Sequence, residues 1–213
     1  MGHALLSPSS AHRWLKCGYC LKGTKLTGLD YSFANEGTRA HKLAEMFLNG
    51  AVKDYLSLCV NANGYSDTNM LTYVKQYIDY IQQYTFDKWY TEKQLTITPN
   101  IWGTADFVGY NRDGIHVFDL KYGKTPVSVE DNPQLQIYAM GALLLFKVDK
   151  PVYVHICQPR IGYFNYVILR KKEMKELFAV LQKREKELRT DIEKVPGPHC
   201  KYCPVICEFN HRR

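Results

Sequence analysis

The sequence predicts an α/β domain built on a mixed central sheet flanked by helices. Three observations predict it. Apolar residues recur at helical spacing through the first 81 residues. Alternating runs then surround a strong turn signal between residues 94 and 122. A helix, two strands and a charged helix complete the chain, so the strand order needs a crossover.

Ser7-Pro8 reads as an N-cap with proline at the first helical position, opening a short helix through Trp14 and Leu15 to near Cys17. Ala40, Leu43, Ala44, Phe47 and Leu48 form the stripe of a second helix, Gly37 to Asn49, closed by Gly50. A polar, Asn-rich loop around 61–68 leads to a third, with Met70, Val74, Tyr77, Ile78 and Ile81 inward. Gln94 to Thr98, Thr104 to Tyr110 and Ile115 to Tyr122 read as strands. Asn111-Arg112-Asp113-Gly114 makes the last two a hairpin. Asn132-Pro133 opens a helix to about Phe146. Val152 to Ile156 and Tyr163 to Leu169 are strands, and a charged helix covers about 171–193, before Pro196-Gly197-Pro198.

The 213 residues suit one domain, 1–213, with a sizeable core. Hydrophobic residues make up 46% and charged residues 23%, a globular profile. No apolar run approaches the roughly 18 residues that span a bilayer. The opening MGHALLSPSS lacks the pattern of a secretory signal, so a cytoplasmic protein is expected. The net charge of +7 and pI of about 8.9 permit a phosphate-rich partner without demanding one. Sixteen tyrosines suit core and rim positions, and bases can stack on them.

The hairpin carries the most chemistry. Asp119 and Lys121 are two apart in a strand and share a face with Ile115 and Val117. If Arg112-Asp113 is the turn, Asp106 stands opposite Asp119; if Asp113-Gly114 is the turn, Asp106 faces Lys121. In the first register the two carboxylates' Cβ atoms lie about 4.5–5.5 Å apart. Such a pair repels unless a divalent cation joins it, and magnesium suits a site of few carboxylates, waters and phosphate oxygens. The lysine can hold a water or stabilise charge on a phosphoryl oxygen. Alone, Asp-x-Lys is more often a solvated surface pair; the apolar Phe118 and Leu120 make this strand look central.

Seven cysteines, an odd number, argue against a disulfide framework in this setting. Cys200, Cys203 and Cys207 form a compact triplet, and Cys17 or Cys20 can supply a fourth thiolate. Four thiolates suit an iron–sulfur cluster or a structural zinc. Cys17-x-x-Cys20 with Cys200-x-x-Cys203 is itself a well-formed zinc pattern that leaves Cys207 over. Residues 1–20 and 196–213 would together form this clasp. Cys59 and Cys157 sit in apolar surroundings and read as core.

Gly37-x-x-x-His41, Gly103-Thr104-Ala105-Asp106, Asp119-Leu120-Lys121 and Gln134-x-x-x-Tyr138 come in an order that resembles the RecB-like nucleases of the PD-(D/E)XK superfamily. The opening Ser7 to Cys17 looks like a phage-borne branch. The resemblance implies a restriction-endonuclease-like core acting as a magnesium- or manganese-dependent DNA exonuclease or end-processing enzyme. Asp106, Asp119 and Lys121 would be catalytic. His41, Asp106, Asp119 and the Leu120 carbonyl would bind the metal, and Gln134 and Tyr138 would contact DNA. By likeness to AddB-like and CRISPR-adaptation nucleases, Cys17, Cys200, Cys203 and Cys207 would hold a 4Fe-4S cluster, although the last gap is shorter than is usual there. Zinc through Cys17, Cys20, Cys200 and Cys203 is the other reading. The resemblance also implies DNA as partner, no membrane, and work in phage or bacterial recombination, repair or CRISPR adaptation. A recombination protein, helicase or integrase would work beside it, or further copies in an oligomer. Three rivals stand beside it: a non-catalytic DNA-binding module with a structural zinc, a restriction-type endonuclease, and a structural or adaptor protein that has lost activity, against which the intact Asp106, Asp119 and Lys121 argue. Neither a separate recognition domain nor a reason for facing carboxylates without a metal is visible.

Overall fold

The computed structural model describes residues 4–25, 32–51, 55–60, 68–191 and 193–210. Most of the expected Asn-rich loop lies outside them. Five strands, β1 (Lys88–Thr96), β2 (Trp102–Tyr110), β3 (Ile115–Leu120), β4 (Val152–Gln158) and β5 (Tyr163–Leu169), form one sheet in the order β1-β2-β3-β4-β5. β3 and β4 pair in parallel and the other neighbours antiparallel. A parallel pair needs a crossover, here the helix Pro133–Phe146. The mixed sheet is as expected.

The helices preceding the sheet are α1 (Ala11–Trp14), α2 (Tyr19–Lys22), α3 (Ser32–Leu48), α4 (Tyr55–Leu58) and α5 (Thr68–Ile81). The crossover is α6 (Pro133–Phe146) and the charged helix is α7 (Lys171–Glu187). α6 starts where it does because Asn132 caps it, accepting from the amides of Gln134 and Leu135, with Pro133 preset for the first turn. It ends at Lys147, whose φ of 56° is left-handed.

Helices cover both faces of the sheet. On one face Val108, Ile115, Val117 and Val154 pack against Leu135, Ala139 and Ala142 of α6. On the other, Phe107, Phe118 and Leu120 pack against Leu43 and Ala44 of α3 and Val74, Tyr77 and Ile78 of α5. Every residue of β3 is buried, which fixes its register, since a one-residue slip would exchange its two faces. A third cluster of Leu6, Trp14, Ile101, Ile137, Leu181 and Leu188 fastens the first helix to α6 and α7. Cys59 and Cys157 are core, as expected.

Several boundaries differ from the sequence reading: α3 begins at Ser32, five residues before the expected Gly37, β2 begins at Trp102 and β4 runs on to Gln158. β1 begins at Lys88, six residues before the expected Gln94, because its first half is an exposed edge that needs no apolar alternation. β3 stops at Leu120, although the Lys121 amide still donates to the Cys157 carbonyl at 2.8 Å. α7 stops at Glu187, where the chain turns back and Asp191 pairs with Arg184 at 2.8 Å.

The helix-covered face of β3 and β4 also buries two histidines. His116 Nδ1 lies 3.2 Å from His155 Nε2, and His155 Nδ1 lies 3.1 Å from the Tyr80 hydroxyl. Burial holds His116 down to about 4, and burial and then His116 hold His155 down to about 2. Both folded values lie below the unfolded value of about 6.5, so the stability they contribute is complete above that pH and is lost as pH falls through it. Melting temperature should therefore fall between pH 6.5 and 4. His116→Phe should flatten that fall, read by melts across the range; an unchanged slope would contradict the assignment.

Candidate active site

β2 and β3 pair from Tyr110↔Ile115 only as far as Phe107↔Phe118, and then part. The Asn111 amide donates to the Gly114 carbonyl at 3.0 Å, so Arg112-Asp113 is the turn and Asp106 stands level with Asp119. At the parting, the Asp106 carboxylate replaces the missing ladder partner: its Oδ2 accepts from the Leu120 amide at 2.7 Å. Its Oδ1 meets His41 Nδ1 of α3 at 2.9 Å. Thus one carboxylate joins a strand end to a helix from the layer above.

Asp119 is 3% exposed and faces the α6 side. Its Oδ1 accepts from Gln134 Nε2 at 2.9 Å, while its Oδ2 pairs with Lys121 Nζ at 2.7 Å. Lys121 Nζ also donates to Gln134 Oε1 at 3.0 Å. The Gln134 amide is therefore engaged at both ends, holding the carboxylate and the lysine in fixed relation. Tyr138, one turn on, is 5% exposed, and its hydroxyl donates to the Thr104 carbonyl at 2.8 Å. Of the residues expected to touch DNA, Tyr138 faces inward, while the half-buried Gln134 braces Asp119 and Lys121.

The charges separate the two carboxyls. Burial pushes Asp106 up, but His41's charge and hydrogen bond, the Leu120 amide and Lys121 outweigh it and hold Asp106 below the usual range. Asp119 is raised, by burial first and by Asp106 against the pull of Lys121. His41 is lowered by burial, yet Asp106 carries it up to about 9.

The glycine of Gly103-Thr104-Ala105-Asp106 has a steric cause. A Cβ there would lie 2.7 Å from the Pro8 ring and 3.1 Å from Tyr138. A Cβ on Gly37 would meet nothing within 4 Å, so α3 presents bare backbone one turn before His41.

Glu92 is the residue the sequence reading missed. It sits in β1 between the pairs Thr91↔Phe107 and Lys93↔Ala105, across from Asp106, with a left-handed φ of 44°. Its carboxylate and ligand atoms of His41 and Asp106 all lie within 4.8 Å of one another. Glu92 is exposed, but partial desolvation, followed by the charge of Asp106, pushes its carboxyl up to about 7. The left-handed backbone of a glutamate costs the fold about 1–3 kcal/mol, a cost typical of functional sites, and Asp106 stands beside it.

The clasp cysteines also meet. Cys17, Cys20, Cys200, Cys203 and Cys207 line one small cavity with His199 and Asn210. The backbone ties the two ends together: the Tyr19 amide donates to Glu193, the Ile206 amide to Thr24, and Lys25 bridges Val205. The Cys20 thiol is pushed up to about 12 by burial and then by Cys17 and Cys203. Cys207 is half-buried, its Sγ 3.6 Å from Glu208 Oε2.

A family model described as a protein of unknown function, DUF2800, matches residues 3–213. The chain belongs to the DUF2800 family. Among solved structures, this DUF2800 chain superposes on a candidate exonuclease from Eubacterium rectale with a TM-score of 0.54. The match covers 98% of this chain and 88% of that one at 10% identity, and it shows a shared fold. The structure of SSO0001 matches at a TM-score of 0.37 and 17% identity, over 80% of this chain and 84% of that one, and carries no argument. No described helix of the DUF2800 chain is long and apolar enough to cross a membrane.

Glu92→Asn keeps a residue that tolerates left-handed backbone and removes one carboxyl from the group. In chelator it should raise the melting temperature by about 2–4 °C, the equivalent of roughly 1 kcal/mol for a domain of this size. A lower melting temperature would mean that Glu92 stabilises the metal-free fold.

Proposed function

We propose that this protein is a metal-dependent deoxyribonuclease of the PD-(D/E)XK type, acting on DNA ends. The observation that carries the reading is the meeting of Asp106, Asp119 and Lys121 where β2 and β3 part, with the buried Asp119 Oδ2 held 2.7 Å from Lys121 Nζ. Neighbouring carboxyls, Asp119 buried and Asp106 half-buried, fit a divalent cation, which would remove their repulsion. His41, Glu92, Asp106, Asp119 and the Leu120 carbonyl would hold magnesium or manganese. When bound, such a cation supplies Lewis-acid polarisation of a phosphoryl oxygen. Lys121, oriented by Asp119 and Gln134, holds the attacking water or steadies charge on the phosphoryl group. Gln134 and Tyr138 keep those groups in register, and the bare backbone at Gly37 leaves room for the substrate beside His41.

The clasp serves structure in this reading. Five thiols gathered round one small cavity, with those of Cys20 and Cys203 raised by desolvation, fit a thiolate-bound centre. We assign it to a 4Fe-4S cluster on Cys17, Cys200, Cys203 and Cys207. Zinc on Cys17, Cys20, Cys200 and Cys203 is favoured by the nearness of Cys20 to Cys17 and Cys203.

End-labelled linear DNA should be degraded with magnesium or manganese and spared with chelator, and Asp106→Ala and Asp119→Ala should abolish turnover. Lys121→Ala should lower kcat by about 10²–10³ with little change in DNA affinity, since it acts in the transition state. Full activity in Asp119→Ala would end the nuclease assignment.

Protein purified without oxygen should be brown and carry about four irons per chain. Colourless protein with one zinc would assign the site to Cys20 in place of Cys207. Cys203→Ala should lower melting temperature and solubility while activity per folded molecule persists; normal melting with no activity would place the centre in the chemistry.

A further inference from the structure

The opening segment Ser7 to Trp14 plays no part in the acidic group, yet it is built with care. The Trp14 indole N–H donates to the Ser7 carbonyl at 2.9 Å, and the Ser7 and Ser10 hydroxyls lie 2.8 Å apart. Arg184 Nε of α7 donates to the Trp14 carbonyl at 3.0 Å. Trp14 is fully buried, and the Pro8 ring fills the space left by the missing Cβ of Gly103. This segment is therefore a fixed wall.

Across from it runs the loop into α6, and between the two lies a groove of about 480 Å³. Lys121 and Gln134 line it, so it opens directly onto the catalytic lysine. Pro8 and Pro133 give it apolar surface, and Ser9 and His12 line it from the wall. The only carboxylate described in its lining is the exposed Glu130. A groove of this size accepts a ligand of roughly nucleotide dimensions, not a duplex. His12 is exposed, its Nε2 3.4 Å from an Arg13 guanidinium nitrogen, and partial desolvation with the charges of Arg13 and His199 holds its ring below the usual histidine range. A ring held towards its neutral form is suited to stacking.

We propose that this groove holds one unpaired nucleotide of the substrate strand beside the scissile phosphate, its base against His12 and the prolines and its phosphate towards Lys121. The proposal rests on the nuclease reading and deepens it: a duplex end must fray by a base before it is cut. Stacking of this kind ignores sequence, because every base has a π-face.

The test is fluorescence anisotropy of a labelled unpaired oligodeoxynucleotide, in calcium to slow turnover, with a melt for each variant. His12→Ala should weaken binding roughly tenfold, the loss expected for one stacked base. His12→Tyr should restore it and His12→Lys should not, with melting unchanged throughout because the side chain is exposed. Wild-type affinity in His12→Ala, or rescue by lysine and not tyrosine, would overturn the stacking site while leaving the nuclease reading intact. A blunt duplex whose terminal pair is covalently cross-linked should resist cleavage by the wild type. Its cleavage at the rate of an unlinked duplex would overturn the need for an unpaired nucleotide. Wild-type protein that neither binds nor cleaves any DNA would sink both readings.

Discussion

The Asp106 carboxylate does the work of a strand. Where β2 and β3 part, its Oδ2 takes the Leu120 amide that a neighbouring carbonyl would otherwise have satisfied, and its Oδ1 takes His41. A buried amide left without a partner costs about 1–3 kcal/mol, so this bond allows the sheet to open at no such cost. The opening admits Asp119, Lys121 and Gln134 to the same space. It also sets the charge pattern, because a carboxyl tied to an amide and a histidine stays ionised beside one that burial raises.

That arrangement tolerates little movement, and the layers around it supply the stiffness. β3 is buried along its whole length between two helix-covered faces. It is tied to α6 through Gln134, and the neighbouring β2 is tied to α6 through Tyr138 and to α3 through His41. α6 is itself fixed at its start by Asn132 and packed against the opening segment through Ile137. The pieces of the site, 65 residues apart in the case of His41 and Asp106, are held by packing that involves no ligand.

Much of this was legible in the sequence because it rests on local rules. Asn111 to Gly114 specified a tight turn, and the turn allowed only two registers, of which the observed one levels Asp106 with Asp119. Asn132-Pro133 announced α6 to the residue. Glu92 was not legible, because it lies in an exposed edge strand without apolar alternation and reaches the site only through a left-handed backbone. Nor did the spacing of Gln134 and Tyr138 reveal that both point at the acidic pair, since a shared helix face does not say what that face meets. The short α2 and α4 carry too few residues for a period to show.

The parallel pairing of β3 with β4 has a consequence during synthesis. Every side chain of the acidic group precedes α6 or lies in its first turns, but β4 follows the crossover and covers the second edge of β3 only once it has emerged. Until then Leu120 and Lys121 lack the neighbour whose Cys157 carbonyl fixes the lysine's backbone. A ribosome adds about 5–20 residues each second, so a growing chain carries an unassembled acidic group for a second or more. Assembly of the site is thereby delayed until the later strand is available to dock.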